Sequence, residues 1–128
     1  MSPPVQKMRF PKAVHIRSRL DFTRVYEQGL RLSDRWLLVS ARRTAEPLTR
    51  IGLAVSKRCG NAVRRNRWKR LLREAFRLSR PDLPSGLDLV VQPRAGAEPE
   101  LNILRQSLMS LVKRLAMKLP HEEPSDPS

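Results

Sequence analysis

Two histidines, one cysteine and twelve acids are all that this chain offers for acid–base, nucleophilic or metal chemistry, and their placement does not assemble a site. His15 lies in a basic N-terminal stretch, His121 lies in a proline-rich tail, and the acids are scattered over helix starts, turns and Glu74. A nuclease working through its own side chains needs paired carboxylates for metal ions, or histidines near a lysine for proton transfer. Neither pattern is present, so the expected set of catalytic residues is empty. Cys59 cannot form an internal disulfide and lacks the companions for a zinc site, so it reads as a small packing residue.

The chemistry lies instead in cations. Residues 57–80 carry ten basic residues (Lys57, Arg58, Arg64, Arg65, Arg67, Lys69, Arg70, Arg73, Arg77, Arg80) against the single acid Glu74. Within this block Trp68, Leu71, Leu72, Ala75 and Phe76 recur at helical period and form one apolar stripe. At about 100° per residue, the side facing away from the stripe presents Lys69, Arg73, Asn66, Arg77, Arg70, Glu74 and Arg67. A solvated charged face would interleave Glu and Lys at i, i+4, and only Glu74 can do so here, between Arg70 and Arg77. Arg64, Arg65 and Arg67 also occupy the first turns, where the helix dipole disfavours each cation by several tenths of a kcal/mol, which calls for an anionic partner. Arginine outnumbers lysine, and its planar fork chelates phosphate and stacks on bases. Asn66 adds an amide able to read a base edge or a sugar hydroxyl.

The whole chain points the same way. It has 128 residues and a net charge of +14, a surplus that implies a polyanionic partner. RNA is favoured over duplex DNA, because a strand rather than a second helix precedes the basic helix and no tight helix-turn-helix is formed. No run of about 18 apolar residues exists to span a bilayer, and residues 1–12 lack the apolar core of a secretion signal. No membrane partner and a cytoplasmic location are therefore expected.

The elements that must position this block can be read in order. Residues 1–17 form a basic, proline-interrupted arm, and Ser18 and Asp21 give a capping-box-like start to a helix over 19–28, with Gly29 as a left-handed terminator. Strands are expected over 35–43 and 50–57, joined as a hairpin. The second alternates Ile51, Leu53 and Val55 with Gly52, Ala54 and Ser56, leaving a shallow small-residue face that suits either a ligand or a closely packed helix. After the basic helix, 60–78, come a strand over 87–92 and a helix running from Pro99 to Pro120, with Glu98 and Glu100 at its start and Lys113, Arg114 and Lys118 near its end. One domain over 1–119 is expected, with a disordered tail at 120–128. The order helix, two or three strands, helix, strand, helix defines an α+β fold, a small αβ sandwich.

Residues 56–77, SKRCGNAVRRNRWKRLLREAFR, strongly resemble the bacterial ribonuclease P protein component family. The family pattern, Arg-Asn-Arg-x-Lys-Arg-x-x-Arg-Glu-x-Phe-Arg, is matched from Arg65 to Arg77. The resemblance extends to Asp21-Phe22, Val25-Tyr26, Gly29, Arg50-Ile51-Gly52-Leu53 and Asp88-Leu89-Val90-Val91, roughly residues 9–118. It implies a left-handed βαβ crossover of the ribosomal protein domain 2 type. It also implies a protein subunit that assists a catalytic RNA in removing the 5′ leader from precursor tRNA, with Mg2+ expected in the ribonucleoprotein and no DNA partner. By position, the resemblance makes Phe22 and Tyr26 aromatics of a leader cleft, with Leu37 and Val39 on the strand beside them and Arg65, Asn66, Lys69 and Arg73 on its helix side; the expected RNA-binding set is Lys57, Arg58, Arg64, Arg65, Asn66, Arg67, Lys69, Arg70, Arg73 and Arg77. Two positions depart from the family: Tyr26 stands where a second Phe is frequent, and Val39 where an aromatic is frequent. A structural ribosomal or nucleoid protein is the alternative; it needs the basic face but not the aromatic cleft or Asn66.

Overall fold

The computed structural model of the protein describes residues 14–94 and 96–120. The greater part of the expected basic arm and all but Pro120 of the expected tail lie outside the described residues.

Helix α1 (Arg19–Gln28) starts where Ser18 Oγ accepts a hydrogen bond from the Asp21 amide at 3.1 Å, which satisfies one orphan donor of the first turn. It ends at Gly29, but not in the left-handed conformation expected there. Gly29 is extended (φ −98°), and glycine is required for a different reason: a Cβ would run into the backbone carbonyl oxygens of Ala41 and Val25.

The sheet contains β1 (Leu30–Ser33), β2 (Leu37–Arg43), β3 (Arg50–Leu53) and β4 (Leu87–Pro93) in the order β1-β2-β4-β3. The expected hairpin between the second and third strands does not form. β1 and β2 make the hairpin, with Leu30 opposite Ala41, while β4 pairs antiparallel with β2 and parallel with β3. The physical reason is burial. β2 and β4 are seven residues long and mostly buried, so they take the centre, whereas the four-residue β3 carries Arg50 and Gly52 and suits an edge.

Helix α2 (Ala62–Ser79) connects the parallel pair, and helix α3 (Leu101–Lys118) closes the chain. Both cover one sheet face, where Leu37, Val39, Ala41, Ile51, Leu87, Leu89 and Val91 meet Trp68, Leu72, Phe76, Leu104, Leu108 and Leu111. α1 covers part of the other face through Val25 and Phe22, with Val90 and Ile16. The architecture is the expected α+β sandwich with a mixed sheet. Cys59 is buried in the main core, as its composition suggested. The last residues of the arm are docked: Val14 and Ile16 are buried, and the Ile16 amide donates to the Ile51 carbonyl at 2.9 Å beside β3.

Polar contacts lock the layers. The Asp34 carboxylate accepts the Trp36 and Leu37 amides, both at 2.9 Å, and the Ser107 hydroxyl at 2.5 Å, which ties the β1–β2 turn to α3. Arg43 donates to the Ala116 and Pro120 carbonyls at 2.9 and 3.0 Å, satisfying acceptors that the end of α3 leaves open.

Candidate nucleic-acid interface

The interface is built from the approach to α2. Ser56 Oγ accepts from the Arg58 amide and caps a 3-10 turn, Lys57–Cys59, that the buried Cys59 anchors. Gly60 then adopts φ +120°, a conformation that side chains rarely take, and Asn61 accepts the Arg64 amide at 3.0 Å to start α2. From there the buried stripe of Trp68, Leu72, Ala75 and Phe76 fixes the helix rotation and turns Asn66, Arg67, Arg70 and Arg73 to solvent.

The cations divide into held and open groups. Arg64 donates to the Ala97 carbonyl and pairs with Glu98 at 3.2 Å, and Arg65 donates to the Gly60 carbonyl at 3.2 Å. The protein itself therefore offsets part of the dipole conflict at the start of α2. Glu74 is committed to Arg77 through contacts of 3.0 and 2.5 Å, and this bond holds the Glu74 carboxyl below the usual carboxylate range. Glu74 thus does not serve Arg70. Among the described residues no hydrogen bond or ion pair occupies the side chains of Lys57, Arg58, Asn66, Arg67, Lys69, Arg70 or Arg73. These seven form the open face.

Beside that face lies a cleft of about 400 Å³. Phe22 and Leu53 line it together with Lys69 and Arg73 from α2 and His15 and Arg17 from the docked N-terminal segment. Burial, then the charges of Arg73 and Arg17, lower the His15 pKa from its ordinary value. The structure therefore brings Phe22 together with Lys69 and Arg73, but not with every residue assigned to the cleft from sequence. Tyr26 contacts Phe22 at 6.5 Å between ring centres and is 44% exposed, yet it does not line the cleft. Burial raises its phenol pKa. Leu37 and Val39 are fully buried beneath α2 and α3, on the opposite face from Phe22, so their assignment to the cleft is corrected. Period-two alternation is the signal that places them there, and the same alternation puts Leu38 on the α1 side.

Strand β3 ends at Leu53, short of the expected residue 57, and of the two roles considered for its small-residue face the structure shows the closely packed helix. At Gly52 a Cβ would approach the Phe22 ring to 2.6 Å, so this glycine admits close packing of α1. Ala54 and Ser56 line an open groove with Leu38, Gln92, Arg58 and Arg94. His15, Arg17 and Arg94 were not singled out from sequence as binding residues, because chain distance hides their convergence. Among the described residues no cluster of His, Cys, Asp or Glu could hold a metal ion, and no helix is long and apolar enough to cross a membrane.

A one-sheet α+β fold with an open arginine face on one helix and an aromatic-lined cleft beside it defines a small protein built to meet a polyanion. The family described as Ribonuclease P matches residues 10–116. The ribonuclease P protein component of Oleidesulfovibrio alaskensis is 42% identical over 81% of this chain and 87% of its own length; that of Thermotoga maritima is 32% identical over 83% and 95%. Among solved structures, the RNase P protein from Thermotoga maritima superposes with a TM-score of 0.72 at 32% identity, covering 78% of this chain and 96% of the other. A mutant RNase P protein of Staphylococcus aureus gives 0.74 at 30% identity, covering 88% and 97%. The chain belongs to the ribonuclease P protein family.

Proposed function

We propose that this protein is the protein subunit of ribonuclease P, which binds the catalytic RNA and the 5′ leader of precursor tRNA and so promotes endonucleolytic maturation of the tRNA 5′ end. The observation that carries the reading is the shared position of Lys69 and Arg73: both belong to the cationic helix and both line the cleft that holds Phe22. One strand can therefore lie in the cleft while a second RNA docks on Asn66, Arg67 and Arg70.

The work of the chain is electrostatic. Open cations neutralise phosphates that would otherwise repel one another, and α2, seated on the core by Trp68 and Phe76, holds those cations in fixed register. Phosphodiester hydrolysis belongs to the RNA subunit with Mg2+, and the protein residues bind and orient. The expected compartment is the cytoplasm, and the expected nucleic acid is RNA rather than DNA.

Reconstitution with the cognate catalytic RNA tests the reading. The protein should tighten binding of leader-bearing precursor tRNA and leave mature tRNA binding little changed. Equal affinity for leader-bearing substrate with and without protein would remove it, in favour of a structural ribosomal or nucleoid protein.

A further inference from the structure

A glycine inside a strand weakens it and marks a place where something approaches the backbone closely. Gly52, buried within β3, is such a residue. Its conformation does not ask for glycine, since among the described residues positive φ occurs only at Gly60, Gly86 and Gly96. Space is the reason. A Cβ at Gly52 would lie 2.6 Å from Phe22 Cζ, 3.0 Å from Phe22 Cε1 and 3.2 Å from Ile16 Cβ. Carbon atoms pack at about 3.5–4.0 Å, so the ring tip sits about 1 Å inside the volume that even alanine would fill.

Both side chains that close over Gly52 line the cleft that also holds Lys69 and Arg73. Ile16 stands between His15 and Arg17, the residues through which the N-terminal segment lines the same cleft, and its amide is tied to the Ile51 carbonyl at 2.9 Å. On the other side, Asp21, next to Phe22 in α1, pairs at 3.5 Å with Arg50, which shares a face of β3 with Gly52. Helix α1 is thus fastened to β3 at two neighbouring points, Asp21 on Arg50 and Phe22 on Gly52. With Ile16 and α1 both held, a methyl group at position 52 finds room only by displacing the ring. Stacking of a base on an aromatic side chain depends on where that ring stands, and a misplacement of about 1 Å is enough to weaken a contact that requires alignment.

We propose that Gly52 is a positioning residue of the cleft: its bare Cα seats the Phe22 ring at the depth where a leader base stacks on it alongside Lys69 and Arg73. This rests on the leader-cleft reading above, and Gly52 acts only through the ring. The holoenzyme reconstituted with the cognate catalytic RNA tests it. Phe22→Leu, which removes the ring tip, should weaken binding of leader-bearing precursor tRNA about tenfold and Gly52→Ala about fivefold, with mature tRNA binding and docking to the catalytic RNA unchanged in both. The double variant should bind no worse than Phe22→Leu alone, because the two substitutions remove one contact. Thermal melts of the protein supply a second reading: Gly52→Ala should lower the Tm of the native chain by about 5 °C through the overlap and leave that of Phe22→Leu nearly unchanged. Where Gly52→Ala alone fails to fold, a folded double variant supports the proposal and an unfolded one overturns it. Native leader affinity in Gly52→Ala, beside a weakened Phe22→Leu, overturns the proposal and spares the leader cleft. Native affinity in Phe22→Leu removes the cleft reading and the proposal with it. Equal losses for leader-bearing and mature tRNA in Gly52→Ala, or additive losses in the double variant, also overturn it.

Discussion

Arg50 and Asp88, 38 residues apart in the chain, face each other across the parallel β3–β4 pair, and the guanidinium donates to both carboxylate oxygens at 2.9 and 2.7 Å. This bond is the first cause of the raised Arg50 pKa. Arg42 adds a contact to Asp88 at 3.8 Å, and Arg50 also reaches Asp21 of α1 at 3.5 Å. The pair therefore fastens the edge strand to the centre and α1 to the sheet. Asp88→Ala leaves two half-buried guanidiniums without their carboxylate and should lower stability by about 3 kcal/mol. Asp21→Ala, which removes two long, partly exposed ion pairs, to Arg50 and to Arg24, should lower it by about 0.5 kcal/mol. Urea denaturation checks both values, and equal losses would contradict the ranking.

The two sides of α2 should separate in binding assays. Lys69 lines the cleft, whereas Arg67 and Arg70 point to open solvent. Lys69→Ala should reduce leader-dependent substrate affinity by about tenfold, while Arg67→Ala and Arg70→Ala should chiefly weaken docking to the catalytic RNA by a similar factor. Identical effects of all three on both measurements would refute the division.

Counterion release sets the salt response. The logarithm of RNA affinity should fall with the logarithm of salt by about 0.7 per single-strand phosphate neutralised. Replacing Arg67, Arg70 and Arg73 together by Ala should flatten that slope by about 2, readable from filter binding at several salt concentrations. A slope unchanged by the triple substitution would show that these side chains do not meet phosphate.

His15 should make the cleft pH-sensitive. Burial, Arg73 and Arg17 lower its pKa in the folded protein, so the neutral ring is favoured by folding. Stability is then full above the unfolded value of about 6.5 and declines as pH falls through it toward the folded value. RNA phosphate in the cleft opposes Arg73 and Arg17, so binding should take up a proton and tighten between about pH 7 and 5.5. Leader-dependent affinity measured over this range should rise for the native chain and stay flat for His15→Gln; parallel curves would dismiss the linkage.

Asp34 supplies a prediction independent of RNA. Burial pushes its carboxyl up, but the Ser107 hydroxyl and the Leu37, Trp36 and Asp34 amides outweigh this and hold it below its ordinary value. The stabilisation is present above the unfolded carboxyl value and is lost as pH falls through the folded one. Asp34→Ala should cost about 2 kcal/mol near neutral pH and less in strong acid, as followed by thermal melts.

The parts of the molecule governed by local rules were legible in the sequence. The Ser18 cap, the helical stripe of Trp68, Leu72, Ala75 and Phe76, and the buried Cys59 follow from spacing and composition alone. The pairing of β3 was not legible, because alternation shows that a strand exists and leaves its neighbour open; the insertion of β4 depends on register partners 38 or more residues apart. Leu37 and Val39 were assigned to the cleft by position in the family resemblance, whereas they lie fully buried in the core, on the face that alternation along β2 gives them. The share of the arginine charge that Gly60, Ala97 and Glu98 offset depends on tertiary contacts that no helical wheel contains.

The insertion of β4 between β2 and β3 also orders events during synthesis. The ribosome delivers α2 before Leu87–Pro93, and until that central strand emerges, the edge strand lacks its neighbour in the sheet and has only the short N-terminal contact at Ile16, while Trp68 and Phe76 have no finished floor. The nascent chain thus carries its arginine block before it can bury the opposite side of that helix.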